Sequence, residues 1–179
     1  GVLRGDFGTS LVQTGRPVIT VIMERLPNTL ILMLTAEVVI ILGALLVGIY
    51  SALQQYSLFD NILTAILFIG YSMPIFFVAL STMYIFSINF QRWGLPHLPT
   101  VGMFDPKIGE TPEQVAVHMI LPVFSIAFIS FAAYSRYIRS TMLEVLGQDY
   151  IRTARSKGLP KREITYIHAL KNASLPIVT

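Results

Sequence analysis

The 179-residue chain has no cysteine, which excludes a disulfide framework and any thiolate metal site. Three scattered histidines, His97, His118 and His168, have no spacing that a zinc ligand set needs, so no metal is expected to bind this chain. Charge is scarce at 13% of residues, against 54% hydrophobic residues in long unbroken blocks. That combination fits the membrane class better than a soluble domain. No glycine-rich phosphate loop ending in Gly-Lys-Ser or Gly-Lys-Thr is present, so nothing in the chain is built to hold a nucleotide. Clustered acids, or a Ser and His pair converging at one interface, are also missing, and with them the usual equipment of a membrane-embedded enzyme. No catalytic residue is assigned.

Three apolar blocks carry the architecture. The first, "LPNTLILMLTAEVVIILGALLVGIYSAL" from Leu26 to Leu53, has one charge, Glu37. As a helix it reaches roughly 36 Å, enough for a hydrocarbon core of about 30 Å. Pro27 suits a first turn, and Gly43 and Gly48 suit close helix packing. A second stretch, from Asn61 to Gln91, has no charge at all, and as one helix it would extend roughly 46 Å, too long for a straight crossing. Gly70 and Pro74 in "GYSMP" are the expected bend, within a single kinked pass over 61–90. The alternative, a hairpin of two half-length pieces, leaves each piece short for a crossing. A third pass is expected over 119–142, with Pro122 at its first turn and Tyr134, Arg136, Tyr137 and Arg139 anchoring it at headgroup depth. Residues 173–179 read as the start of a further membrane helix.

Of 13 Lys and Arg residues, Arg136, Arg139, Arg152, Arg155, Lys157, Lys161, Arg162 and Lys171 fall in one segment after the third block. The loop from Arg92 to His118 is the more acidic side, with Asp105, Glu110 and Glu113 against Arg92 and Lys107. The bias places residues 136–172 in the cytoplasm, the turn at 51–60 inside, and residues 1–25 outside the cytoplasm. The third helix is expected to run on through "STMLEVLGQDYIRTARSK" until "GLP" breaks it. Gly158 suits a left-handed helix end and Pro160 the first turn of the next helix. Ala154 and Gly158, four apart and without bulk, would let another protein approach closely. A basic cytoplasmic helix can also be an orientation signal resting on anionic lipid. A DNA-reading helix-turn-helix is disfavoured by three membrane passes and a net charge of only +3, so no nucleic-acid partner is expected. Glu37, costly at mid-bilayer, should face another helix or a watery pathway. A channel is a rival reading, but these helices offer few pore-lining polar groups.

The segments "DYIRTARSKGL" and "HALKNASLPIVT" resemble the cytoplasmic EAA loop of ABC importer permeases, above all the B-type permease of the dipeptide, oligopeptide and nickel importer family. In place of Glu-Ala-Ala the chain reads Arg152, Thr153, Ala154, then Arg155 to Lys157, Gly158, and downstream Leu175 and Pro176. The form "YxRTAxxKG" is itself characteristic of the peptide permeases. "GDFGTS", "ERLPNTL", "GYSMPIFF", "HMILP" and "RSTMLEVLGQDYIRTARSKGL" resemble that family in the same order, over nearly the whole chain. The resemblance implies an all-α, polytopic transmembrane bundle of the type I importer permease kind, here a fragment with three passes and a cytoplasmic coupling helix over 143–172, the permease domain being 26–176. It implies one helix before Gly1 and two after Thr179. It also implies two ABC ATPase subunits that bind ATP with magnesium, a second homologous permease, an extracytoplasmic solute-binding protein, and a prokaryotic cytoplasmic membrane. Arg152, Thr153, Ala154, Arg155, Lys157 and Gly158 would be the ATPase-coupling residues. Peptides are the implied cargo, with nickel chelates or glutathione as the alternative within the family.

Overall fold

The computed structural model describes residue 1 and residues 5–173. Leu175, Pro176 and nearly all of the expected further helix therefore lie outside the described residues. Among the described residues the architecture is all-helical, and the only β pairing is an isolated bridge between Thr9 and Pro17. Two helices are long and apolar enough to cross a membrane, and a broken pair lies between them.

Helix α1, Val18–Leu53, starts well before the expected Leu26. The loop before it is folded back on itself: Ser10 N donates to Arg16 O at 2.8 Å and Val18 N donates to Gly8 O at 3.0 Å. Arg16 also pairs with Glu24, nearly two turns into the helix. This bracing supports the turns ahead of Pro27, which is an interior residue and not a first-turn one. The same correction applies to Pro122. Helix α4, Pro112–Leu146, starts with Pro112 at its first turn, and the Thr111 side chain accepts from Gln114 N as its cap. A capped threonine followed by proline is a stronger start signal than an isolated proline in an apolar run.

Between them lie α2, Leu58–Ser72, and α3, Ile75–Arg92, the latter passing through a π-helical turn at Tyr84–Asn89. They meet at 104°. The expected kink is thus a complete break, because Met73 is extended (φ −88°, ψ 136°). Proline ring atoms push the preceding residue out of the helical region, which interrupts the helix instead of bending it. Helices α1 and α4 run in the same direction: Ala36 clusters with Met119 and Val123, while Gly48 abuts Ile138. The chain must therefore be carried back between them. Contacts of the pair with α4 progress from Asp60 at Arg139, through Gly70 at Phe128 and Thr82 at Ser125, to Ser87 beside His118. Together α2 and α3 make that return.

Gly48 decides how closely α1 and α4 approach. A Cβ added there would lie 2.7 Å from Ile138 Cγ2 and 2.9 Å from the Ser135 carbonyl. Gly43 is likewise covered by Phe131, so the packing expected of both glycines is present. Gly70 seats the Phe128 ring 2.9 Å from where a Cβ would be. Its place in the fold is a packing seat, and the break itself belongs to Met73 and Pro74.

Candidate functional site

The basic end of the bundle is built from the last turns of α1 and α4 and two short helices that follow. Helix α4 ends at Leu146, and Gln148 is extended, so α5, Asp149–Ser156, is a separate element and not a continuation of α4. The cause is local: Gly147 has low helix propensity, and its N–H bonds back to Leu143 and Glu144 carbonyls while the Gln148 carbonyl accepts from Ile151 N and Arg152 N to open the next helix. Helix α6 follows as Lys161–Glu163, a π-helical stretch Ile164–Ala169, and Leu170–Ala173.

Gly158 ends α5 as expected, with φ +77°. Leu159 N donates to Ala154 O at 3.3 Å and Gly158 N to Arg155 O at 3.0 Å. That is the paired bonding of a Schellman cap, with Leu159 folded onto the core. The expectation of one small-residue face does not hold. Ile151 is fully buried and Ala154 is 8% exposed, both packed with Ala44, Ile49, Ala52, Ile138 and Met142. Three-residue spacing puts Ile151 and Ala154 on the stripe facing the core, and the left-handed turn takes Gly158 off that stripe. Gly158 is open, with nothing within 4 Å of an added Cβ. Arg152, Thr153, Arg155 and Lys157 are exposed. The outward surface is therefore polar and mostly basic, on a helix rooted in the core that joins α1 to α4. The exposed Arg152 and Asp149, 3.8 Å apart, add little stability.

Beside this surface lies a buried ion pair that the sequence reading missed. The Asp60 side chain is 2% exposed and the Arg139 side chain 27%. Arg139 Nη2 donates to Asp60 Oδ2 at 2.9 Å and Nε to Oδ1 at 3.2 Å, while Tyr56 N donates to Oδ2 at 2.9 Å and Ser51 Oγ to Oδ1. One carboxylate thus ties α1, the turn at 54–57, α2 and α4. The same turn holds Tyr56 at φ +64°, the only non-glycine residue with positive φ among those described. Asp60 also sits in the first turn of α2, where its N–H is capped by Ser57 Oγ at 3.1 Å. A signal was present in the Ser57-x-x-Asp60 capping pattern and in a single acid bordering a charge-free stretch. Its partner is 79 positions away, and no local pattern connects them. Arg139 is accordingly a structural partner more than a headgroup anchor. Arg136 lies 5.2 Å from the centre of the Tyr71 ring, within cation–π range.

Glu37 is exposed on α1, next to Ala36, which faces α4. Among the described residues it has no hydrogen-bond or ion-pair partner, so the neighbouring helix expected for it is not one of these. His118 is buried and its Nδ1 lies 2.8 Å from the Gln114 carbonyl; His97 lines the same loop cavity of about 380 Å³. No group of three metal-ligating side chains is assembled among the described residues.

Comparison with known proteins identifies the family. Residues 44–179 match the family described as binding-protein-dependent transport system inner membrane component, and the chain belongs to that family. It is 40% identical to the oligopeptide transport system permease protein AppB of Bacillus subtilis, over 99% of this chain and 55% of the relative. It is 36% identical to the oligopeptide permease protein OppB of Mycobacterium tuberculosis, over 99% of this chain and 55% of that protein. It is also 36% identical to the dipeptide permease protein DppB of Escherichia coli K12, over 100% of this chain and 57% of that one. The chain spans about half the length of the curated relatives it matches.

Proposed function

We propose that this chain is part of a permease subunit that moves peptides, dipeptides or oligopeptides, into a prokaryotic cell across its cytoplasmic membrane, driven by ATP hydrolysis in partner subunits. The observation that carries the reading is 40% identity to an oligopeptide permease over 99% of the chain. The partners are two ABC ATPases, which would bind ATP and magnesium, a second permease, and an extracytoplasmic solute-binding protein. The outward face of α5, with Arg152, Thr153, Arg155 and Lys157 and the open turn at Gly158, is the surface offered to an ATPase.

The packing supports a mechanical role for α5. Ile151 and Ala154 share one core with Ala44 and Ala52 of α1 and Ile138 and Met142 of α4, and Asp60 ties α2 to the same end. Cores are close-packed and transmit displacement instead of absorbing it. When two ATPases close around ATP, a docked α5 is carried with them, and the joined helices move as a body, changing which side of the membrane the pathway faces.

The test is a pull-down of the full-length tagged permease in mild detergent with mass spectrometry of bound proteins, repeated with Arg152→Glu and Lys157→Glu, and peptide uptake in the same strains. Two ATPases and a second permease should be recovered with the wild type and lost or weakened with the variants. Absence of any ATPase after gentle crosslinking overturns the docking role. Retained assembly with no peptide uptake overturns the cargo alone.

A further inference from the structure

A cavity of about 190 Å³ opens between α1, α2 and α4 beside the Asp60–Arg139 pair, with Val47, Thr64, Phe68, Ser135 and Arg136 among its walls. Two of its polar groups are unused. Ser135 is 2% exposed, and its hydroxyl has no hydrogen-bond partner among the described residues. Ser125, ten residues earlier on the same helix, instead donates to the Leu121 carbonyl at 2.8 Å. A buried hydroxyl left unpaired is destabilising, so one that borders a void is better satisfied by an occupant there. Arg139, which also borders the cavity, is bound to Asp60. Arg136 has no carboxylate partner among the described residues, and its guanidinium lies over the face of Tyr71.

The surroundings specify the occupant. The remaining wall is apolar, through Val47, Leu67 and Phe68, and Phe68 is itself 65% exposed, so the wall reaches the apolar exterior. Tyr134 and Tyr137 flank Arg136 and are partly exposed, as rings at headgroup depth are. The arginine bias puts this end of α4 at the cytoplasmic leaflet, where anionic lipids give a negative surface potential, and basic pockets between membrane helices on that side hold lipid head groups. A soluble anion would satisfy Arg136 but leave the apolar wall uncovered; a phospholipid meets both.

We propose that this cleft is a binding site for one anionic phospholipid, its phosphate held by the Arg136 guanidinium and the Ser135 hydroxyl and its acyl chains lying on Val47, Leu67 and Phe68. The bound lipid joins α1, α2 and α4 one step nearer the bilayer than the Asp60–Arg139 pair does. This assignment is independent of the cargo.

The experiment uses the full-length permease purified with its partner subunits, delipidated in mild detergent and titrated separately with phosphatidylglycerol, phosphatidylcholine and inorganic phosphate. Native mass spectrometry counts bound lipid, and the thermal midpoint reports occupancy. Phosphatidylglycerol should be retained at one molecule per permease, at least tenfold tighter than phosphatidylcholine. Arg136→Gln should weaken it about tenfold, with Arg136→Lys intermediate because a point charge remains without the planar fork. Thr64→Trp, which fills the cleft and leaves every charge in place, should lose the lipid as well. Equal retention by wild type and Arg136→Gln overturns the proposal, as does equal retention of the two lipids. Occupancy of the cleft by protein segments, seen as no lipid bound and no effect of Thr64→Trp, also overturns it. Inorganic phosphate acting as strongly as phosphatidylglycerol overturns the lipid assignment.

Discussion

Arg139 holds Asp60 with two nitrogens, Nε at 3.2 Å and Nη2 at 2.9 Å, across 79 positions of sequence. The pair is asymmetric in exposure, 27% for the arginine side chain and 2% for the aspartate. Removing the arginine leaves a buried carboxylate short of two donors, whereas removing the carboxylate leaves a guanidinium that reaches solvent. Arg139→Met should therefore destabilise the bundle by about 3 kcal/mol or more, and Asp60→Asn by less, since the one amide oxygen still accepts from Tyr56 N while the Ser51 hydroxyl can turn to accept from the amide nitrogen. Thermal unfolding of both purified variants checks the order. Equal losses contradict the asymmetry.

Gly48 admits α4 at a distance where a methyl group has no room, and one of the obstructing atoms is the Ser135 backbone carbonyl. Backbone cannot rotate aside as a side chain does. Gly48→Ala should cost about 1–3 kcal/mol through overpacking, and Gly48→Leu should lower the amount of protein that accumulates in the membrane. Immunoblotting of membrane fractions, alongside thermal midpoints, measures both effects.

Tyr56 occupies the left-handed region at φ +64° with its side chain largely in solvent, 78% exposed. A side chain there costs roughly 1–2 kcal/mol that glycine does not incur, offset in part by glycine's greater loss of freedom on folding. Tyr56→Gly should raise stability by about 1 kcal/mol or leave it unchanged, and Tyr56→Val should lower it, because a β-branched residue tolerates that region least. A clear loss for Tyr56→Gly, read from the same thermal assay, would show that the ring makes a contact worth more than the strain.

Ala154 and Arg152 lie two positions apart and face opposite ways, one in the core at 8% exposure and the other exposed. Ala154→Glu should unseat α5 and lower the thermal midpoint of the permease itself, since it places a carboxylate against Ile151, Ile138 and Met142. Arg152→Glu should leave that midpoint unchanged and act only on partner retention. A variant pair that behaves alike in both assays refutes the orientation of α5.

The cap at Gly158 gives a graded series. Its φ of +77° suits glycine and tolerates asparagine better than alanine. Gly158→Asn should keep the turn, while Gly158→Ala should destabilise it by about 1 kcal/mol, visible as faster amide hydrogen exchange through Leu159 and the start of α6.

Much of the fold was legible from local pattern. Long charge-free stretches marked the membrane helices, and "GLP" marked the end of α5 because only the left-handed turn at Gly158 satisfies both the glycine and the proline. Helix starts were misplaced where a proline inside an apolar run was given the weight of a cap. Pro27 and Pro122 are interior, and the working starts are the braced loop before Val18 and the Thr111–Pro112 cap. The same local view read Pro74 as a kink, although its effect on the backbone of Met73 makes a break.

The sequence by itself determined that this chain lies in a membrane and that its basic end follows the third apolar block. These follow from composition and short-range spacing, which act within a few turns of chain. Only the tertiary structure decided that Ala154 faces inward, that Asp60 meets Arg139, and that Ser135 and Arg136 border one cleft. Those facts depend on how far α1 and α4 can approach at Gly48 and how sharply α2 turns at Met73, and contacts between residues so far apart in sequence exist only once the helices have packed.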